Sequence, residues 1–224
     1  MYQTFEVEEY QGHLIMKCSG KDVLLDTGSP WTLGNGETFE LMGGTVSCER
    51  GGPTYNINSV RQLLGRDIDV LMGMNVLDGK CMLVDLTAGK VTFSDEPLTL
   101  ENAVTVSLER PSNHATIQAQ VSGMPVNLVV DTGAQLSYLN DQYIAGQESI
   151  GTRNDFHPNL GHYEVPIYGV PVNIAGRDLD VVWGKATPGV SALISQVCAD
   201  GVLGYDLFKQ GKVVLDFITN TLQF

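Results

Sequence analysis

The chain has 224 residues, of which 43% are apolar and 17% are charged, and its mean hydropathy is +0.01. This length and composition are typical of a globular protein with a sizeable core, and they exclude a disordered or low-complexity chain. The net charge of −13 makes nucleic acid an unfavourable partner because phosphates are repelled, and no run of 18 apolar residues is present that would span a membrane.

The start of the chain and its cysteines bear on the compartment. Residues 1–6 lack the basic start and the apolar core of a secretory signal, which favours a cytoplasmic protein. Four cysteines at 18, 48, 81 and 198 fit no zinc-binding spacing and are too few for a disulfide framework. The sequence therefore favours reduced thiols, with no bound metal and no membrane partner, and we expect a monomer.

Short β-rich runs alternate with turn residues along the whole chain, and long helical periodicity is absent. Turns are predicted at Asp78-Gly79 and Ser122-Gly123. The clearest predicted elements, in chain order, are strands at 102–108 and 116–121, a short helix at 142–145, a second short helix at 207–210, and a strand at 212–217. This pattern predicts an all-β fold with a few short helices.

An internal repeat divides the chain into two halves. The sequence VLLDTG at 23–28 recurs as LVVDTG at 128–133, and the segment 71–93 aligns without a gap on 202–224. A third, weaker pair, 63–73 with 174–184, conflicts in register with the second and is open to interpretation as a recurring strand-turn pattern. The repeat predicts two lobes, 1–96 and 97–224, which meet at a polar turn ending in Pro97.

Each copy of Asp-Thr-Gly follows three apolar residues, which describes a buried strand running into a tight turn. Gly28 and Gly133 allow backbone angles or close approaches that a side chain would forbid. If a two-fold relation brings the loops together, Asp26 faces Asp131, and two touching carboxylates share one proton because both cannot ionise cheaply. Such a pair suits acid–base activation of a water molecule.

The paired motifs resemble the pepsin/retropepsin superfamily of aspartic proteases, and the short chain is nearer to two retroviral-type subunits fused in one polypeptide. The matching residues are Asp26-Thr27-Gly28-Ser29, Asp131-Thr132-Gly133-Ala134, Leu71-Met72-Gly73 and Val202-Leu203-Gly204. The resemblance implies a two-lobed, pseudo-two-fold acid-protease fold. It also implies that Thr27 and Thr132 interlock beneath a catalytic pair, Asp26 and Asp131, without metal or other cofactor.

Residues beside the motifs are candidates for supporting roles. The Ser29 hydroxyl is expected to donate to Asp26, whereas Ala134 offers Asp131 no donor, so Asp26 is expected to ionise more readily. The segment 47–55 is open to two interpretations, a flap-like hairpin that places Tyr55 near the site or an ordinary surface turn. Trp31 is expected in the core or on the wall of the cleft, and the candidates for contact with the substrate are Tyr55, Trp31 and Ala134.

Three other interpretations compete with a protease: a metal site, a glycosidase and a peptide-binding module. His157 and His162 lack the further ligands that zinc needs. A glycosidase needs its carboxylates at least about 5 Å apart across a sugar, farther than two loops meeting on an axis. The sequence therefore predicts an aspartic endopeptidase whose partner is a peptide or protein substrate. The alternative is a peptide-binding or assembly module with this fold and little or no turnover.

Overall fold

A computed structural model describes residues 1–224. The N-terminal half contains eight strands and two short helices. The strands are β1 (Tyr2–Tyr10), β2 (His13–Cys18), β3 (Lys21–Leu25), β4 (Thr38–Leu41), β5 (Gly44–Ser47), β6 (Val70–Met72), β7 (Cys81–Asp85) and β8 (Lys90–Ser94), and the helices are α1 (Ile57–Leu64) and α2 (Met74–Leu77).

The C-terminal half contains twelve strands, three helices and a short 3-10 turn at Pro111–Asn113. The strands are β9 (Thr105–Ser107), β10 (Thr116–Val121), β11 (Met124–Val130), β12 (Ser137–Leu139), β13 (Gly151–His157), β14 (Gly161–Gly169), β15 (Val172–Ile174), β16 (Arg177–Leu179), β17 (Val182–Lys185), β18 (Gly201–Leu203), β19 (Lys212–Asp216) and β20 (Thr221–Gln223). The helices are α3 (Asp141–Ile144), α4 (Pro188–Gln196) and α5 (Tyr205–Phe208).

Two nine-stranded sheets and one two-stranded hairpin make up the molecule, so the predicted all-β, two-lobed class is confirmed. The first sheet has the order β6-β3-β2-β1-β8-β7-β19-β20-β9 and therefore takes strands from both halves. Within this sheet the antiparallel pair of β7 with β19 joins the halves by main-chain hydrogen bonds. The second sheet, β13-β14-β17-β12-β18-β11-β10-β15-β16, lies wholly in the C-terminal half.

One large core cluster of 43 buried residues draws side chains from both halves, from Phe5 to Phe224. Two smaller clusters lie on the other faces of the strands that lead to the aspartates. One packs α1 on Ile15, Leu24 and Leu71, and the other packs α4 on Val129. The strands before the aspartates are thus covered on both faces, which explains their uninterrupted apolar runs.

The second repeat pair, 71–93 with 202–224, aligns structurally equivalent residues of the two halves. In each half the strand that leads to Asp-Thr-Gly runs parallel to the strand of the apolar-apolar-Gly element, β3 beside β6 and β11 beside β18. We call β6 and β18 the threading strands. Asp69 accepts from the Asp22 N–H at 2.8 Å, and Asp200 accepts from the Asn127 N–H at 2.9 Å, at equivalent places. The third pair is a recurring strand-turn pattern, because Gly184 belongs to β17 rather than to the threading strand.

Two expectations about local structure are corrected. The segment 47–55 is not a hairpin, because its one strand residue, Ser47, ends β5 and the remaining residues form an irregular lead into α1. The strand expected at 102–108 is ordered only at Thr105–Ser107. The predicted short helices are present as α3 and α5, and the strands at 116–121 and 212–217 as β10 and β19.

The cysteines and helices complete the description. All four cysteines are free thiols, three of them buried and Cys198 exposed. Burial raises the pKa of Cys48 and Cys81 to about 11, so these two stay neutral thiols at neutral pH. None of the five helices has both the length and the apolar character of a membrane span.

Candidate active site

The two Asp-Thr-Gly loops meet where the halves face each other. Each loop leaves its strand through a main-chain bond at 3.0 Å to the neighbouring threading strand, from Asp26 N to Met72 O and from Asp131 N to Leu203 O. The two aspartates, which we call the dyad, sit at the ends of these strands with part of their surface accessible.

A single backbone group joins the two carboxylates. The Gly28 N–H donates to Oδ1 of Asp26 at 3.0 Å and to Oδ1 of Asp131 at 3.1 Å, while the Gly133 N–H donates to Oδ1 of Asp131 at 2.7 Å. Both oxygens therefore lie within hydrogen-bonding distance of one nitrogen. The structure brings the two sequence-predicted aspartates together.

The glycines of both motifs are required by space rather than by backbone angle. A Cβ atom at Gly28 would lie 2.6 Å from Cγ of Asp131, and one at Gly133 would lie 2.6 Å from Cγ of Asp26. Any side chain at these positions would push the carboxylates apart. Each glycine thus makes room for the aspartate of the other half.

The two threonines form a symmetric set of hydrogen bonds beneath the dyad. Oγ1 of Thr27 accepts from Thr132 N at 3.0 Å and donates to Val130 O at 2.8 Å. Oγ1 of Thr132 accepts from Thr27 N at 3.0 Å and donates to Leu25 O at 2.9 Å. Both side chains are almost fully buried, so four bonds across the halves fix the relative position of the two loops.

The expected role of Ser29 is wrong. Its hydroxyl donates to Trp31 O at 2.8 Å, and it accepts from the Tyr55 hydroxyl at 2.8 Å, so it offers no proton to Asp26. The reason is local geometry, since the tight turn brings the Trp31 carbonyl, and not the Asp26 carboxylate, within hydrogen-bonding distance of the Ser29 hydroxyl. Ser29 instead ties Tyr55 to the first loop.

The electrostatics of the dyad reverse the expected order of ionisation. Burial, and then the charge of Asp131, raise the pKa of Asp26 well above its ordinary value, against the backbone N–H groups of Gly28 and Ser29. Burial also raises the pKa of Asp131, but the N–H groups of Gly133 and Gly28 and the charge of His114 oppose it. Oδ1 of Asp131 accepts two backbone N–H groups and Oδ1 of Asp26 accepts one, so this hydrogen bonding favours the negative charge on Asp131 and the proton on Asp26.

Trp31 and Tyr55 line one open cavity beside the first loop. Its volume is about 600 Å³, and its other lining residues are Leu33, Glu49, Arg50, Gly51 and Gly52. Trp31 is 50% exposed and forms a wall of this cavity, whereas burial and the charge of Asp26 raise the pKa of Tyr55 and keep it a hydrogen-bond donor. Trp183, by contrast, is fully buried in the core.

Ala134 occupies the position in the second loop that Ser29 holds in the first. Its carbonyl accepts from Tyr205 N at 2.9 Å, just as the Ser29 carbonyl accepts from Met74 N at 2.8 Å. Close packing at this point requires glycine in the threading strand, because a Cβ at Gly204 would meet Ala134. Ala134 thus supports the loop through its main chain.

A buried carboxyl group outside the dyad lies within the electrostatic reach of Asp131, and no sequence motif selects it. Asp155 in β13 accepts from the Tyr138 hydroxyl and from Nε2 of Gln135, both at 2.5 Å. Burial raises the pKa of Asp155, the two donors lower it, and the charge of Asp131 raises it further. These bonds anchor the β13–β14 hairpin to the second loop.

The same hairpin reaches the N-terminal half through its next residue. The Phe156 ring lies 5.6 Å from the His13 ring and 5.7 Å from the His162 ring, and it packs on the cluster that includes Leu24. His157 and His162 belong to no cluster of three or more side chains that could bind a metal ion. The hairpin therefore spans both halves beside the dyad.

Fold and site together define an all-β protein in which two equivalent loops place two aspartates in contact. No family model and no curated protein matches the chain. Among solved structures, the foamy viral protease-reverse transcriptase in complex with an RNA/DNA hybrid matches at 16% identity and a TM-score of 0.32. That match covers 40% of this chain, and the matched part spans about a tenth of that protein's length.

Proposed function

We propose that the protein is an aspartic endopeptidase in which Asp26 and Asp131 activate a water molecule. The observation that carries this proposal is the Gly28 N–H shared between the two carboxylates. A single proton on such a pair leaves one carboxylate to act as base and one carboxylic acid to act as acid, which is the requirement of this reaction.

The asymmetry of the hydrogen bonds to the pair supports the following division of roles. The Asp131 carboxylate takes a proton from water as the water oxygen bonds to the carbonyl carbon of the peptide, and Asp26 gives its proton to the carbonyl oxygen. The diol then collapses: Asp131 gives its proton to the amide nitrogen, one diol hydroxyl gives its proton to Asp26, the carbonyl double bond forms again and the C–N bond breaks. The Thr27–Thr132 bonds hold the carboxylates in place during both steps.

An extended peptide is the substrate class that fits this site. The cavity lined by Trp31 and Tyr55 opens beside the first loop and combines an aromatic wall with polar groups, which suits one side chain of a peptide. The β13–β14 hairpin lies near the dyad, and its strand β13, at the edge of the second sheet, offers main-chain groups to an extended chain. We place this reaction in a reducing compartment such as the cytoplasm, because all four thiols are free.

The test is cleavage of a mixed peptide library between about pH 3 and pH 7, the range over which a carboxylate pair titrates. We expect Asp26→Asn and Asp131→Asn each to lower the cleavage rate by about 10²- to 10⁴-fold. Asp178→Asn, a change at an exposed aspartate in β16, is the matched control and should cleave like the parent.

Two outcomes oppose the proposal. Cleavage that survives both dyad substitutions would place the chemistry elsewhere in the molecule. Peptide binding without cleavage by the parent and by both variants would instead identify a peptide-binding module with this fold.

A further inference from the structure

The cavity of about 600 Å³ beside the first loop is tied to that loop by one residue. The Ser29 hydroxyl donates to Trp31 O at 2.8 Å and accepts from the Tyr55 hydroxyl at 2.8 Å. Both aromatic residues that line the cavity are therefore held by the residue that directly follows the first Asp-Thr-Gly. A side chain bound in the cavity belongs to a peptide that also lies at the dyad.

The segment that carries Glu49 turns alternate side chains to opposite faces. Glu49 is the parallel bridge partner of Leu33, and main-chain bonds to Thr32 O at 2.9 Å and from Gly34 N at 2.8 Å hold it there. Side chains of such partners lie on the same face. Leu33 lines the cavity, whereas Cys48 is buried in the large core cluster on the other face. The exposed Glu49 side chain therefore lies on the face of the cavity.

The cation among the lining residues is turned away from Glu49. Nε and Nη2 of Arg50 lie 3.0 and 3.1 Å from the place that a Cβ atom on Gly36 would take, so the guanidinium lies against the Gly36 main chain. Gly36 does not line the cavity. Glu49 forms no ion pair with Arg50 or with any other cation of the chain. Its carboxylate is thus free to pair with a bound group.

We propose that this cavity, which we call the cation pocket, binds a lysine or arginine side chain of the substrate, with the methylene chain on the ring of Trp31 and the charged group at the carboxylate of Glu49. The inference rests on the proposed function, because it names the class of peptide that the dyad cleaves. An indole face attracts a cation, and a carboxylate accepts its hydrogen bonds. Long basic side chains also bury their methylene chain on apolar surface while the charge stays near water.

Other classes of side chain fit the cation pocket less well. An acidic side chain would be repelled by Glu49. An apolar side chain would displace water from that carboxylate without replacing the hydrogen bonds that the water made. The net charge of −13 adds a longer-range attraction for basic peptides.

Substrate peptides test the proposal on the unmodified protein. A series of peptides carries one lysine, or its uncharged analogue norleucine, at each position around the cleaved bond. At one position we expect kcat/KM to be about tenfold higher with lysine near pH 6, mainly through a lower KM, since a cation–π contact and an exposed ion pair together supply an effect of that order. The difference should shrink as salt is added.

Substitution assigns the preference to one side chain. Glu49→Gln should remove most of the preference for lysine, and Glu49→Lys should reverse it in favour of glutamate at the same position. Glu101→Gln is the matched control, because Glu101 is exposed and lies outside the cavity, and it should keep the preference of the parent.

A second readout is independent of turnover. In the double variant Asp26→Asn, Asp131→Asn, calorimetric titration compares the binding of the lysine peptide with that of its norleucine analogue. We expect the lysine peptide to bind about tenfold more tightly, and this advantage should disappear when Glu49→Gln is added.

The outcomes distinguish the two proposals. A protein that cleaves lysine and norleucine peptides equally at every position would overturn the cation pocket and leave the endopeptidase standing. A preference for lysine that survives Glu49→Gln would overturn it as well, and so would a preference of the parent for glutamate, which would mean that Arg50 faces the substrate. A protein that cleaves nothing, but whose binding of the lysine peptide depends on Glu49, would overturn the endopeptidase and keep the cation pocket.

Discussion

At the scale of single residues, hydrogen bonds and close packing constrain the position of each atom of the site. The dyad oxygens share one N–H, the two glycines leave no room for a Cβ, and the threonine hydroxyls bind main-chain groups of the opposite half. Buried polar networks of this kind are stable only when every member is paired. The effect of losing one partner is therefore a direct test of the arrangement.

We expect Thr27→Val to lower the free energy of unfolding by about 1–3 kcal/mol for each polar group left unpaired. The substitution conserves volume but leaves Val130 O without its donor and Thr132 N without its acceptor. Urea unfolding followed by the fluorescence of the buried Trp183 measures the change.

The control for this prediction is Thr27→Ser, which keeps the hydroxyl and loses only the methyl group. It should cost clearly less than the valine variant. Equal losses for the two variants would show that packing, rather than the interlocked hydrogen bonds, holds the loops together.

At the scale of elements, the sequence predicted those strands whose apolar pattern and flanking turns are local. The repeat also gave the correct register for the threading strands, because the Gly73 and Gly204 positions meet the same packing demand. The sequence did not predict α2, nor did it predict α1 and α4, which are longer than the predicted α3 and α5. Their signals were present as caps, Asn56 with Ser59 before α1, and Thr187 followed by a proline before α4.

The parts of the site that the sequence did not predict depend on contacts between distant segments. The Ser29 hydroxyl has several acceptors within reach, and only the folded turn selects Trp31 O. His13 and His114 occupy equivalent places, because each lies two residues before the partner of the strand residue two positions before an aspartate. The sequence hides this equivalence, since His13 lies 13 residues before Asp26 and His114 lies 17 residues before Asp131. An alignment of the two halves on their aspartates without a gap therefore does not place His13 opposite His114.

The β13–β14 hairpin contacts the other half through Phe156, so a single substitution tests this contact. Phe156 is partly buried against the N-terminal half, so we expect Phe156→Ala to weaken this contact by about 1–2 kcal/mol. Amide hydrogen exchange should become faster across 151–169 and stay unchanged in β10 and β11.

Phe156→Leu is the matched variant, since it retains an apolar side chain of similar reach and should show a smaller acceleration. Ile150, which is 61% exposed, gives a second comparison, because its change to alanine removes little buried surface. Unchanged exchange in Phe156→Ala would mean that the bonds of Asp155 and the pairing of β14 with β17 hold the hairpin without Phe156.

At the scale of the whole molecule, the two predicted lobes are not separate in their hydrogen bonding or their core. Strands β7 and β19 pair antiparallel from Lys212 opposite Asp85 to Asp216 opposite Cys81, and the largest core cluster includes residues of both halves. The four threonine bonds add a second junction at the site. Cleft and core are thus built from the same inter-half contacts.

This shared construction predicts that neither half folds alone. We expect fragments 1–96 and 97–224 to lack cooperative thermal transitions, because each would expose the sheet edge at β7 or β19 and the apolar surface that the other half covers. The intact chain should unfold in one calorimetric step, with calorimetric and van't Hoff enthalpies equal. A cooperative melt of the isolated 97–224 fragment would show instead that the second sheet is sufficient for folding, and the dyad would then lie between two independent domains.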